Sequence, residues 1–176
     1  VLDGAQSQGA ETELVDLCGL RFSFCGACDA CHATGRCVHQ DKANERIDSL
    51  LKVEGIVLGS PNYFRSVSGP MKAFIDRMSR VIHCQFFSGK YGCSVATAGG
   101  SGAEWVADYL NELVVSLGAY SVGRVTASIS EGQSAMNKAL EQAGELGKDL
   151  VAAISTRREY GEQKVLHERT AAYFQR

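Results

Sequence analysis

Alternating strand and helix patterns predict an α/β fold, a doubly wound parallel sheet with helices on both faces. Three observations carry this. Apolar runs and amphipathic segments alternate from Thr12 to Ile154. The run Gly55–Leu58 (GIVL) is short and wholly apolar, as suits a parallel strand covered on both sides. Met71, Phe74, Ile75, Met78, Val81 and Ile82 recur at helical spacing and form one apolar stripe.

The elements follow in order. Gly9-Ala10 reads as a helix end. Thr12–Leu17 alternates and predicts a short strand leading into a cysteine-rich loop. Asp41 is a candidate N-cap for a helix carrying Ile47, Leu50 and Leu51 up to Val53. After the GIVL strand comes a loop from Gly59 to Phe64. Ser68 then caps a helix with Pro70 in its first turn, and the apolar stripe of that helix is core packing. Tyr91–Ala96 is the next strand and Thr97–Gly102 its loop. A helix over Ala103–Leu117 stops at Gly118. Tyr120–Ala127 and Gly132–Ile154 form the last strand and helix. Residues 1–154 are expected to make one domain. The charged tail 155–176 is expected to be a solvated helix, with Val165, Leu166, Tyr173 and Phe174 offering an oligomerisation arm.

Composition bounds the function. With 176 residues, 45% of them hydrophobic, the chain can bury one core. A net charge of −2 offers nothing to nucleic acid or to a membrane surface, and no run of about eighteen apolar residues exists to span a bilayer. No secretory leader is visible. Seven cysteines, an odd count, argue against a secreted disulfide framework and for a reducing cytoplasm. The chain opens on Val1 rather than Met, and a segment upstream of it is expected.

Four cysteines, Cys25, Cys28, Cys31 and Cys37, fall within thirteen residues as C-x2-C-x2-C-x5-C. Four thiolates in one short loop suit a cubane iron–sulfur cluster or a zinc ion, the latter with His32 and His39 nearby. Unliganded thiols, or a redox disulfide between Cys25 and Cys28, are the other readings. Cys18, Cys84 and Cys93 are expected to be structural, and His83 to face a helix C-terminus. Asp76 and Arg77 are expected to form a solvated pair without a role.

Ligands of a doubly wound sheet bind beyond the carboxyl ends of its strands. Two loops stand there. Ser60, Pro61, Asn62, Tyr63 and Phe64 offer a hydroxyl, an amide and two aromatic rings. Thr97, Ala98, Gly99 and Gly100 offer backbone N–H groups with little side chain in the way. Together they suit a planar heteroaromatic ring, although such turns also occur with no ligand.

GSPNYF, SVSGPMKAFIDR and ATAGGSG, in that order, resemble the flavodoxin-like NADPH-dependent FMN reductase superfamily. With the cysteine spacing they resemble its iron–sulfur flavoproteins. The resemblance implies a five-stranded sheet in the order 2-1-3-4-5, with its first strand and FMN phosphate loop upstream of Val1. It implies FMN ringed by Ser60–Phe64 and Thr97–Gly100, and a 4Fe-4S cluster on Cys25, Cys28, Cys31 and Cys37. No side chain is assigned as a catalytic acid or base. The implied activity moves electrons from ferredoxin or NAD(P)H to a small-molecule or protein acceptor, in a homo-oligomer. The alternatives are a cluster-free NAD(P)H-dependent FMN or quinone reductase, and a non-catalytic cysteine-loop module for metal binding or redox sensing.

Overall fold

Three parallel strands carry the molecule: β1 (Gly55–Pro61), β2 (Tyr91–Ala98) and β3 (Tyr120–Ser128), in the order β1-β2-β3. The structure is a computed structural model and describes residues 1–174. Gly55 stands opposite Tyr91, and Tyr91 opposite Tyr120. The β2–β3 register shifts once, between Gly92 and Cys93.

The unbroken apolar run of β1 is explained by what covers it. Ile56 and Leu58 face one core, shared with Val106, Leu110 and Val114 of helix α6 (Ala103–Ser116). Val57 faces a second core with Leu146, Leu150 and Ile154 of helix α7 (Gly132–Thr156). Burying one such aliphatic side chain contributes roughly 1.5–3 kcal/mol, so both faces of the strand must be apolar. The result is a three-layer α/β/α arrangement. Helix α1 (Leu2–Gln6) lies against α7, where Gly4 and Gly147 permit backbone contact that a Cβ would forbid. Among the described residues no helix is long and apolar enough to cross a membrane.

Both predicted caps are in place. Asp41 accepts from Asn44 N–H at the start of α3 (Lys42–Leu50), and Ser68 from Met71 N–H at the start of α4 (Gly69–Asp76). The long helix expected after Ser68 is interrupted, however. It ends at Asp76 and resumes as α5 (Ser79–His83). Arg77, Met78 and Val81 donate to carbonyls three residues back, a tightened turn that lets Arg77 point inward without burying the stripe elsewhere.

Two expectations are corrected. Thr12–Leu17 is not a strand. It runs irregularly into a 3-10 turn at Leu17–Gly19, with Leu14 largely exposed. Its period-two pattern is real, but among the described residues no strand lies beside it to share a hydrogen-bond ladder. The sheet accordingly has three strands among the described residues, where the sequence predicts four of the expected five.

The charged tail forms helix α8 (Gly161–Phe174), on which Val165, Leu166 and Tyr173 are exposed. Gln163 pins it: its side chain accepts from Ser121 N–H and donates to Ser121 C=O, closing part of the free edge of β3. The side chain of Phe174 and all of Arg176 lie outside the described residues.

Candidate functional site

The loops after all three strands meet at one rim. Asn62 N–H donates to Thr97 C=O (2.6 Å), and Asn62 Nδ2 donates to Ser101 C=O (2.7 Å). Ser130, after β3, donates its N–H to Gly99 C=O and its hydroxyl to Gly100 C=O, both at 3.0 Å. Tyr63 and Ser66 exchange two backbone hydrogen bonds and close a tight turn. At its tip Phe64 and Arg65 take left-handed backbone angles (φ 51° and 61°), and Phe64 is fully exposed.

The nine predicted rim residues divide. Tyr63, Phe64, Thr97, Gly99 and Gly100 are exposed, and Pro61 and Asn62 are half-buried. Ala98 turns into the core. Ser60 is also buried. It donates to Pro61 C=O and accepts from Ser68 N–H, so it ties the rim to the start of α4. Sequence reasoning missed Arg65, Trp105 and Ser130. Arg65 lies over the Trp105 ring, 4.2 Å from its centre. Trp105, the chain's one tryptophan, three residues past a glycine-rich loop, was the signal available.

The cysteine loop forms a second cluster. Cys25 and Cys28 are exposed, and Cys31 and Cys37 are partly buried. Helix α2 (Ala30–Thr34) starts within it, after Ala27 and Asp29 in left-handed conformations (φ 48° and 55°). Burial raises the Cys31 thiol pKa, and the neighbouring Cys37, Cys25 and Cys28 add to this, against a lowering backbone hydrogen bond. Among the described residues no three Cys, His, Asp or Glu side chains stand close enough to hold a metal ion. His32 stacks on His83 with ring centres 3.8 Å apart, and its Nε2 meets the Ser79 hydroxyl at 2.7 Å. His83 therefore does more than face a helix terminus. Burial, then His32, holds its pKa below the usual histidine value.

Beneath the loop lie two arginines. Arg77 is buried, not solvated as expected. It makes a fork to Asp41 (2.8 and 3.0 Å) and donates to Ser23 C=O (2.7 Å). Arg80 donates to Gly35 C=O (3.0 Å) and pairs with Asp48. Asp76, by contrast, pairs with Lys72 at the surface. Of the three cysteines read as structural, Cys93 is buried and its thiol pushed up to about 12, while Cys18 and Cys84 are exposed.

The hydrogen bond from Arg77, helped by the N–H groups of Ser23 and Asn44, pulls the Asp41 carboxyl down from 3.8 to about 2, against its own burial. A carboxyl with a depressed folded-state pKa stabilises the fold fully above its unfolded value and loses that contribution as pH falls. Stability should therefore drop between pH 4 and pH 2 by roughly 2 kcal/mol at this site. Thermal melts across that range should show it, and Asp41→Asn should flatten the dependence.

The sequence profile of the NADPH-dependent FMN reductase family matches residues 1–134. The chain belongs to this family. It is an FMN-dependent oxidoreductase by membership, with a flavodoxin-like fold. An iron-sulfur flavoprotein of Archaeoglobus fulgidus is 31% identical over 154 residues, covering 86% of this chain and 70% of the relative. The chain spans about half the length of several other curated relatives it matches. Among solved structures, a flavone reductase superposes with a TM-score of 0.66 at 15% identity, covering 88% of this chain and 56% of its own. A flavodoxin from the domain Archaea gives 0.56 at 17% identity, covering 87% and 84%. At such identities these two speak for the fold.

The rim fits the ring end of the family's flavin. Exposed Tyr63 and Phe64 offer flat faces. A Cβ at Gly99 or Gly100 would meet nothing, so their backbone is open to a ligand. Asn62 Oδ1 is buried without a hydrogen-bond partner, an acceptor at the edge of the site. The cysteine loop fits a cluster by its donor set: four thiols in one loop, whose backbone two buried arginines hold at Ser23 and Gly35.

Proposed function

We propose that this member of the FMN reductase family is an iron–sulfur flavoprotein. It passes electrons between a reduced donor, ferredoxin or NAD(P)H, and an acceptor, by way of FMN at the rim and a 4Fe-4S cluster on Cys25, Cys28, Cys31 and Cys37. The observation that carries this reading is the cysteine loop itself, four cysteines within thirteen residues, held by Arg77 at Ser23 and by Arg80 at Gly35. The relative from Archaeoglobus fulgidus, named an iron-sulfur flavoprotein, supports it. When bound, FMN would accept electrons in pairs and release them singly and the cluster would carry one at a time, so together they would supply conversion between two-electron and one-electron partners.

The chain's own residues bind and orient. Asn62, Gly99 and Gly100 present polar groups at the ring edge, and Tyr63 or Phe64 covers a face and excludes water. Arg77 and Arg80 hold the cysteine loop to α4 and α5. No side chain is needed as an acid or base. In the same reading the protein is cytoplasmic, residues 1–154 form the redox domain and 155–176 an arm. The exposed Val165, Leu166 and Tyr173 on that arm support a homo-oligomer.

The test is anaerobic purification followed by a visible spectrum and iron, sulfide and zinc analysis. Flavin bands with about four iron and four sulfide per chain are expected. Flavin without iron would point to a cluster-free reductase of quinones or free flavin. Zinc without flavin would instead favour a non-catalytic metal-binding module.

A further inference from the structure

We propose that Arg77, held in place by Asp41, raises the reduction potential of the cluster carried by the cysteine loop. The inference rests on the iron–sulfur reading above and goes beyond it by assigning a residue outside the thiol set.

The two buried arginines are placed alike. Arg77 donates to the carbonyl of Ser23, two residues before Cys25. Arg80 donates to the carbonyl of Gly35, two residues before Cys37. Each grips the chain just ahead of a thiol, one at either end of the loop. Arg77 is 3% exposed and Arg80 6%, and a buried guanidinium is costly unless its donors are matched. Part of them are matched, but the Nε–H of each is buried with no partner. A clasp that only fastened the loop would have no need of these unspent donors. An anion above them would use the charge and the N–H groups together.

A thiolate-ligated cluster is anionic and gains negative charge when it takes up an electron. Fixed positive charge and N–H donors near its sulfurs therefore favour the reduced form. Asp41 counters part of that charge while fixing the guanidinium in place. The pair thus makes a signed prediction. Removing Arg77 should lower the potential, and neutralising Asp41 should raise it.

The experiment is a redox titration of the anaerobic, full-length protein, followed by the paramagnetic signal of the reduced cluster, in wild type, Arg77→Gln and Asp41→Asn. Arg77→Gln should move the reduced-to-oxidised ratio about tenfold toward oxidised, roughly 59 mV lower for one electron. Asp41→Asn, isosteric and still able to cap α3, should shift it the other way. Shifts of the same sign, or none, in proteins that retain their iron would overturn the inference. If Arg77→Gln does not load, Asp41→Asn decides alone. An unmoved or lowered potential there, or loss of iron, makes the pair a structural clasp only. Wild-type protein purified without iron would fail the iron–sulfur reading itself, a separate result.

Discussion

Cys31→Ala should abolish the iron content and leave the flavin in place. Cys31 sits in the first turn of α2, partly buried, in the middle of the cysteine loop. Removing one of four thiolate ligands should take iron from about four per chain to near zero. The rim is assembled from the loops after β1, β2 and β3 and draws nothing from α2, so flavin absorbance should stay at the wild-type level. Alanine is a good helix former, and the substitution removes only a sulfur. Iron content unchanged by this substitution would mean that the ligand set is wrong.

Gly102→Val should open the rim. Gly102 has φ 88°, a left-handed angle that costs a residue with a Cβ roughly 1–2 kcal/mol. A Cβ there would stand 2.7 Å from Asn62 Nδ2 and 2.8 Å from Trp105 Cε3. Either the Asn62–Ser101 hydrogen bond breaks or the Trp105 ring moves, at a further cost of about 1–3 kcal/mol. The loop gives way before the sheet does, so the loss falls on the site. FMN affinity should fall at least tenfold, read as a weaker Kd in a fluorescence titration, with Gly102→Ala showing a smaller loss in the same direction. A Gly102→Val protein that folds and binds FMN as the wild type does would place the flavin elsewhere.

Much of the scaffold was legible in the sequence because the signals were local. The GIVL run, the stripe from Met71 to Ile82, and the caps Asp41 and Ser68 each depend on a few neighbouring residues. Thr12–Leu17 failed for the opposite reason. A strand needs a partner, and no alternation in one segment supplies the other. Arg77 was misjudged in the same way. Beside Asp76 it looked like half of a surface pair, yet its true partner is Asp41, 36 residues back in the chain. Arg65 and Trp105 likewise meet across 40 residues of sequence. The rim loops were found because strand ends in this architecture mark them. The floor of the cysteine loop was not, because burial of a charge is decided by tertiary contacts alone.

Helix α4 is tied at both ends, by Ser60 through Ser68 at one and by Asp41 through Arg77 at the other. From Ser68 to Arg77 is nine residues, about 13 Å of helix rise. It acts as a ruler between the rim and the cysteine loop. The gap between the two loops is set by a helix with a packed apolar stripe. Tunnelling rates fall exponentially with distance, so in the electron-transfer reading this rod sets the rate by fixing the separation.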